Sequence, residues 1–184
     1  MAEFEPCYEK VIRLEGGYSI HHVAGDRGGM TYAGIARNEQ PRWAGWRKID
    51  ANADDAELID MVRIFYREKF WDRILGDQIE SQMVAYQIFE FSVNAGIKAA
   101  VRIAQKVIGS RPDGIFGPKT LERLNETTRD EKEARVFILT YSLFKIFRYK
   151  DICLHDVRRK SDRIVSNEKF LCGWINRVQK GLQI

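Results

Sequence analysis

Hydrophobic residues recur at helical spacing along most of the chain, and the first such stripe lies at its start. Two glycines, Gly16 and Gly17, follow this stripe and act as a helix stop. The pattern therefore predicts a first helix whose last residue is Glu15. The apolar residues of this helix are Phe4, Cys7, Tyr8, Val11, Ile12 and Leu14.

The segment from Gly16 to Ile35 has no helical period and holds six of the chain's fourteen glycines. Glycines at this density mark sharp backbone turns or places where another group approaches the backbone closely. Within the segment, the residues from Met30 onwards alternate briefly between apolar and polar. The pattern predicts a small twisted β-hairpin or an irregular loop.

Helical spacing returns after this segment and continues to the end of the chain. The predicted fold is therefore α+β and mostly α-helical, with one small β-hairpin near the N-terminus. Helices are expected from Asn52–Asp55 onwards, over about residues 81–95 and 98–108, from Pro118, from about residue 130, and through about residues 170–178.

The predicted helix break at Gly96 divides the chain into residues 1–97 and 98–184. We expect both regions to pack into one compact globule, because no low-complexity linker separates them. A chain of 184 residues buries an ordinary core without a disulfide, a metal or another cofactor, and none is expected.

Neither cysteine nor histidine spacing indicates a metal site. The chain has three cysteines, Cys7, Cys153 and Cys172, with no Cys-x-x-Cys spacing, and we expect them to be reduced, buried thiols. Adjacent residues in a strand point to opposite faces, so His21 and His22 are not expected to bind one ion.

The N-terminus is acidic, is interrupted by Pro6, and lacks the basic and apolar regions of a signal peptide. No apolar run reaches the roughly 18 residues that a membrane span requires. We therefore expect a chain made in the cytoplasm without a signal peptide and without stable membrane insertion. A target outside the cell would require another component to give the protein access.

Charge is distributed unevenly along the chain. Residues 129–184 carry 13 Lys and Arg against 7 Asp and Glu, a net charge of +6, whereas residues 1–128 carry 17 against 19. Such a basic region suits an acidic polymer, which could be a nucleic acid, an anionic cell wall or a membrane surface. It is equally typical of a solvated helix face.

Glu15 is the first candidate for chemistry. A carboxylate at a helix C-terminus faces the negative end of the helix dipole, which is unfavourable. One interpretation is a frayed, exposed helix end. The other is a general acid, which needs apolar surroundings to hold its proton near neutral pH. Available apolar residues are Tyr18, Ile20, Ile35, Trp43, Trp46 and Trp71.

Asp26 and Thr31 follow Glu15 on the presumed hairpin. A hairpin folded over the helix end would bring all three around one cleft. Acid-catalysed hydrolysis needs a group opposite the acid, such as a second carboxylate or a water held by a carboxylate and a hydroxyl. The alternative for Asp26 is a turn residue that bonds its own backbone.

The motif Glu15-Gly16-Gly17-Tyr18, then Asp26, then Gly-Gly-Met-Thr-Tyr-Ala-Gly-Ile at 28–35 resembles the glycoside hydrolase family 108 N-acetylmuramidases. These are phage-type lysozymes, some of which are known as secretion activators. The segments at 65–74 and 89–96 are also similar to this family. Those at 104–109, 113–125 and 170–178 resemble its accompanying peptidoglycan-binding region.

The resemblance implies a lysozyme-like fold that cleaves the β-1,4 bond between N-acetylmuramic acid and N-acetylglucosamine. It implies Glu15 as the catalytic acid, with Asp26 and Thr31 positioning the attacking water. Whether Asp26 is a base or a nucleophile depends on the carboxylate separation. The chain departs from the family at Ile20-His21-His22, where relatives have Asn-Asp-Pro, and at Glu90, where aspartate is common.

Substrate contacts are predicted from residue chemistry within these motifs. Amide groups and aromatic faces suit N-acetylhexosamines, which favours Asn94, Tyr32 and Trp71; Tyr18 and Glu90 complete the predicted substrate-binding set. The alternatives are a helix-end role for Asn94 and core positions for the aromatic rings.

The loop Asp113–Thr120 also has two interpretations, a structural turn before the next helix and a loop that contacts the glycan.

Three functions compete at this point. The first is a muramidase acting on peptidoglycan strands in the cell wall, reached through a phage holin, as for an endolysin or prophage enzyme, or through an exporter. The second is a non-catalytic peptidoglycan-binding or secretion-accessory protein. The third is a nucleic-acid binder using residues 129–184, which the absence of a helix-turn-helix or RNA-binding signature disfavours.

Overall fold

The computed structural model describes residues 1–22, 29–51, 55–158 and 168–182. Its contacts group the chain into two units. The first unit is Glu3–Asp77, and the second is Met1–Ala2 with Gln78–Ile184.

The first unit combines helices with a small sheet. The three strands form an antiparallel sheet in the order β1-β2-β3. A π-helical turn at Arg67–Trp71 directly continues the last helix. The elements are α1 Phe4–Leu14, β1 Ile20–His22, β2 Met30–Tyr32, β3 Ile35–Ala36, α2 Gly45–Asp50 and α3 Asp55–Tyr66.

Aromatic rings form much of the core of the first unit. Phe4 stacks on Tyr8 with ring centroids 5.3 Å apart, and it contacts Trp71 at 5.6 Å. Tyr8 in turn contacts Tyr66 at 5.8 Å. The stripe of α1 predicted from the sequence therefore packs against side chains of α3 and the turn that follows it.

The second unit is helical, and its boundaries follow the predicted caps. Its helices are α4 Gln82–Ala95, α5 Ile97–Val107, α6 Pro118–Thr127, α7 Glu131–Arg158 and α8 Glu168–Gly181. The Ser81 hydroxyl accepts the Val84 N–H at the start of α4. Gly96 and Gly109 adopt positive φ at the ends of α4 and α5.

The unit boundary differs from the predicted division at residues 97 and 98. Gly96 does end a helix, but α4 and α5, on either side of it, pack against each other inside the second unit. The division into residues 1–97 and 98–184, and their packing into one globule, stay predictions.

The cysteines are free, and their environments differ. Cys7 and Cys153 are buried, as predicted, but Cys172 is exposed. The prediction for Cys172 is wrong because it does not share the face of α8 that buries Val178. No helix in the described ranges combines the length and apolar character that a membrane crossing requires.

A buried ionic cluster connects three helices of the second unit. Glu90 on α4 accepts hydrogen bonds from Lys145 Nζ on α7, at 2.8 Å, and from Arg177 Nε on α8. Gln87 accepts a further bond from Lys145 at 3.3 Å and donates to the Gly181 carbonyl. Burial lowers the pKa of Lys145, and the Glu90 carboxylate opposes this change.

We predict that Lys145→Met destabilises the protein by about 3 to 5 kcal/mol, because it leaves Glu90 buried with one of its two cations removed. Urea unfolding of the full chain measures this change. The control is Lys132→Met, which alters an exposed lysine of the same helix and should change stability by less than about 0.5 kcal/mol. Equal effects of the two substitutions would contradict the assigned role of the cluster.

Candidate active site

The end of α1 places Glu15 at a sharp backbone turn. Glu15 is the C-cap, one residue beyond the last helical residue. Gly17 N–H donates to the Ile12 carbonyl at 2.9 Å, and Gly16 N–H donates to the Arg13 carbonyl at 3.3 Å. This pair of bonds is a Schellman motif. Gly16 has a positive φ of +90°, which explains why a glycine occupies this position. The chain thus leaves the helix immediately after the carboxylate.

The β2–β3 connection is a two-residue turn formed by Ala33 and Gly34. Both residues have positive φ, 47° and 77°, the combination found in type I′ hairpins. Ala33 is buried, and its carbonyl accepts a 2.8 Å hydrogen bond from the Tyr66 hydroxyl of α3. Since a positive φ is unfavourable for alanine, this bond helps to hold a strained turn.

Glu15 lies directly against this turn. A Cβ atom placed on Gly34 would be 2.9 Å from Glu15 Oε2 and 2.5 Å from the Tyr66 hydroxyl oxygen. Only glycine fits between these two groups without displacing them. Glu15 is half-buried.

His21 and Thr31 lie on strands beside the same helix end. They are direct partners in the β1–β2 ladder, so their side chains share one face of the sheet. His21 Nε2 would be 3.2 Å from a Cβ atom on Gly16, the residue after Glu15. Thr31 therefore lies on the sheet face that reaches the end of α1, and its side chain is half-buried.

The structure leaves the position of Asp26 untested, and it bears on metal binding only for the described residues. Asp26 lies outside the described residues, so its predicted place opposite Glu15 stays a prediction. Metal binding by the His21–His22 pair was disfavoured from the sequence. Among the side chains that the structure describes, no group of three His, Cys, Asp or Glu has the arrangement that would hold a metal ion.

The predicted aromatic contacts differ in accessibility. Tyr18 is 37% exposed, and its hydroxyl is 2.9 Å from that of Tyr8. Burial raises the pKa of Tyr8, and the Tyr18 hydrogen bond raises it further, so Tyr8 is neutral. Tyr18 is the predicted aromatic residue that presents surface to a ligand.

Tyr32 and Trp71 are not accessible to a sugar ring. Tyr32 is 4% exposed and stacks on Trp43 at 6.4 Å. Trp71 is 0% exposed, and its indole N–H donates to Asp77 at 2.8 Å. Both residues therefore pack in the core, which is the alternative role considered from the sequence. Their role as substrate contacts stays a prediction.

Glu90 and Asn94 belong to the second unit. Glu90 is 3% exposed, and its carboxylate is engaged by Lys145 and Arg177. Its role as a substrate-binding residue stays a prediction. Asn94 is half-buried, and its side-chain carbonyl accepts a 2.7 Å hydrogen bond from Tyr149. A substrate role for Asn94 stays a prediction.

The loop before α6 has the structural role predicted for it. Asp113 accepts hydrogen bonds at 2.8 Å from the Ile115 N–H and from the Gln105 side chain. These two bonds, the backbone one foremost, hold the pKa of the Asp113 carboxyl below its usual value. Contact of this loop with glycan stays a prediction.

The first unit has a cleft lined by aromatic and aliphatic side chains, which was not predicted from the sequence. Its volume is about 570 Å³, and Trp43, Met61, Ile64 and Phe65 line much of it. Trp43 is half-buried and packs edge-on against Phe65 at 6.2 Å. In the sequence, Trp43 was only one of several tryptophans available as an apolar wall.

Comparison with protein families divides the chain in two. Residues 8–96 match the model of glycosyl hydrolase 108, and residues 99–179 match that of a predicted peptidoglycan domain. This first region is thus similar to glycoside hydrolase family 108. The chain therefore joins a family 108 region to a peptidoglycan-domain region, as the motifs predicted.

The solved structure of Brucella abortus SagA has a similar fold. The TM-score is 0.69 at 23% sequence identity, over 98% of this chain and 91% of the SagA chain. The predicted fold, α+β, mostly helical and lysozyme-like, is confirmed. A search of curated proteins finds no significant match.

We predict that Gly34→Ala destabilises the protein by about 1 to 3 kcal/mol more than Gly17→Ala does. Both glycines have positive φ, 77° and 70°, so both substitutions strain the backbone. An added Cβ on Gly17 would meet nothing within 4 Å, whereas one on Gly34 would meet Glu15 and Tyr66. Thermal unfolding of the two variants measures the difference, and equal losses would contradict the close contact.

Proposed function

We propose that this protein is an N-acetylmuramidase that cleaves the β-1,4 bond between N-acetylmuramic acid and N-acetylglucosamine in peptidoglycan. The family 108 region and the peptidoglycan-domain region support a role in hydrolysing or binding peptidoglycan. The observation that carries the finer proposal is the position of Glu15, which lies at the end of α1 against the Ala33–Gly34 turn.

In the proposed reaction, Glu15 donates its proton to the glycosidic oxygen as the bond to the anomeric carbon breaks. A water attacks that carbon from the opposite face. Asp26 accepts the proton of this water, and the Thr31 hydroxyl helps to orient it. The contact of Glu15 with a buried turn supports this role, because a general acid must be held in one orientation toward the bond that it protonates.

The accessible aromatic surface of the first unit suggests where sugars bind. Tyr18 and Trp43 present ring faces or edges, and the cleft beside Trp43 is large enough for a sugar ring with its N-acetyl group. We propose that Tyr18 and Trp43, rather than the buried Tyr32 and Trp71, provide the aromatic contacts to the sugars.

A non-catalytic peptidoglycan-binding or secretion-accessory role is the alternative, favoured by the match of residues 99–179 to a peptidoglycan domain. For the enzyme, we propose that access to the cell wall depends on a holin or an exporter.

We predict that Glu15→Gln lowers peptidoglycan hydrolysis by roughly 100- to 10,000-fold, because glutamine has the same shape but cannot donate the proton. Turbidity clearance of purified peptidoglycan measures this effect. Glu9→Gln is the matched control, since Glu9 lies on the same helix, is exposed and pairs only with Arg13 at 3.4 Å among the described side chains. It should clear peptidoglycan as the wild type does.

The possible outcomes separate the two functions. Equal clearance by wild type and Glu15→Gln would remove Glu15 from the mechanism. No clearance by the wild type, combined with co-sedimentation on peptidoglycan, would favour the binding protein over the enzyme.

We predict that Asp26→Asn also lowers hydrolysis by roughly 100-fold or more, since an amide cannot accept the proton of the attacking water. The melting temperature should change little, because the sequence predicts Asp26 in a glycine-rich turn segment, where a carboxylate contributes little to a core. Clearance assays and thermal unfolding test the two parts. Activity near that of the wild type would return Asp26 to the role of a turn residue.

A further inference from the structure

A groove in the second unit runs between α5 and α7. Its volume is about 960 Å³. We call it the α5–α7 groove; its charged and aromatic lining residues are Lys98, Arg102, Lys106, Phe144, Phe147, Arg148 and Asp151.

Three basic residues lie in a row along α5, and none of them has an ion-pair partner among the described residues. Lys98, Arg102 and Lys106 are spaced four residues apart, so they lie on one face, and all three are exposed. The helix sequence from Ile97 to Val107 contains no acidic residue. Within the described part of the chain, none of the three forms an ion pair.

On three other helices, an exposed arginine forms an ion pair with an acidic residue of the same helix. Arg63 pairs with Asp60, Arg123 with Glu126, and Arg135 with Glu131, each three or four residues away along its own helix. Neighbouring like charges on a helix are destabilising, and α5 contains two such neighbouring pairs without relief. An anionic ligand would provide the compensation that the sequence of α5 lacks.

The opposite wall adds both charge and apolar surface. Arg148 of α7 is exposed and brings the cations to four, against the single lining carboxylate of Asp151. Phe144 and Phe147 contact each other edge-on at 6.4 Å, and Phe147 is largely exposed. The groove therefore combines an apolar floor with a cationic rim.

The loop before α6 fixes two of the cations. Gly114 has a φ of +82°, and a Cβ atom placed on it would be 2.7 Å from Lys98 Cγ and 3.2 Å from Arg102 Cγ. The aliphatic stems of both side chains are thus packed under the loop while their charged ends remain at the surface. Held stems lose less freedom when the charged ends bind a ligand.

We propose that the α5–α7 groove binds the anionic stem peptide of peptidoglycan. Stem peptides carry free carboxylates beside small apolar side chains, which suits a cationic rim over an apolar floor. Their diamino residue carries an amino group that Asp151 can accept. Asp151 also pairs with the exposed Lys150 at 3.7 Å, so a bound amino group would share this carboxylate with Lys150. The identity of the polymer rests on the proposed function, whereas the preference for carboxylates rests on the groove alone.

The test uses calorimetric titration of the full-length protein with a synthetic stem tetrapeptide. We expect the same peptide with amidated carboxylates to bind more weakly. Lys106→Gln/Arg148→Gln, which removes one cation from each wall, should weaken binding of the acidic peptide by roughly 3- to 30-fold. Binding should also weaken as salt is added.

Lys119→Gln/Arg129→Gln is the matched control. It removes one exposed lysine and one exposed arginine of the same unit from outside the groove, so the net charge changes equally. The proposal predicts wild-type peptide binding by this control. It is overturned if both double variants lose affinity equally, if the groove variant binds normally, or if the amidated peptide binds as tightly as the acidic one.

Two further measurements identify the ligand class and separate this inference from the enzymatic one. Binding to vesicles of phosphatidylglycerol and phosphatidylcholine in equal parts, without peptide binding, would overturn the proposal in favour of a membrane surface. Peptide binding by a wild type that does not clear peptidoglycan would support the groove while removing the muramidase. Clearance of peptidoglycan without peptide binding would support the muramidase and overturn the proposal for the α5–α7 groove.

Discussion

The close approach of Gly34 to Glu15 and Tyr66 is the constraint on which the candidate site depends. Any side chain at Gly34 would have to push aside either the carboxylate or the tyrosine hydroxyl. Three elements meet at this point: the end of α1, the turn between β2 and β3, and α3 through the Tyr66 bond to Ala33. The turn is strained at both residues, and the Tyr66 hydrogen bond contributes to holding it. A small sheet of three short strands has little stability of its own, so these contacts are what give it a fixed position beside Glu15.

The second unit uses a different device, a buried charge cluster. A carboxylate removed from water is costly unless it is paired and hydrogen-bonded, and Glu90 has both Lys145 and Arg177 as donors. The three residues come from α4, α7 and α8, so the cluster can form only when these helices are in register. Apolar contacts alone would tolerate small shifts of one helix along another. The cluster therefore contributes to a single arrangement of the three helices, in addition to any effect on stability.

The features that the sequence predicted are those set by local chemistry. Glycine stops predicted the end of α1 at Glu15, one residue beyond its observed last residue, Leu14. Ser81 and Gly96 bounded α4, and Pro118 opened α6. The features that it missed depend on residues far apart in the chain. Tyr66 bonds a carbonyl 33 positions away. The family motif indicated Glu90 as a substrate-binding residue. Its two ion-pair partners lie 55 and 87 residues further along the chain, so the motif did not indicate them. Burial of Tyr32 and Trp71 likewise follows from tertiary packing, which apolar spacing along one helix or strand does not report.

Glu15 is poorly placed for stability, and this is an argument for the role proposed for it as a general acid. A carboxylate at a helix C-terminus opposes the helix dipole, whereas a lysine or arginine there would gain about 0.3 to 1 kcal/mol. The Schellman turn needs glycine at the position after the cap, but it does not require a carboxylate at the cap itself. The Ala33–Gly34 turn adds a second cost, because Ala33 holds a positive φ that glycine would adopt more easily. Local structure that runs against local preference is expected where a site has been shaped for chemistry, and here both departures converge on one carboxylate.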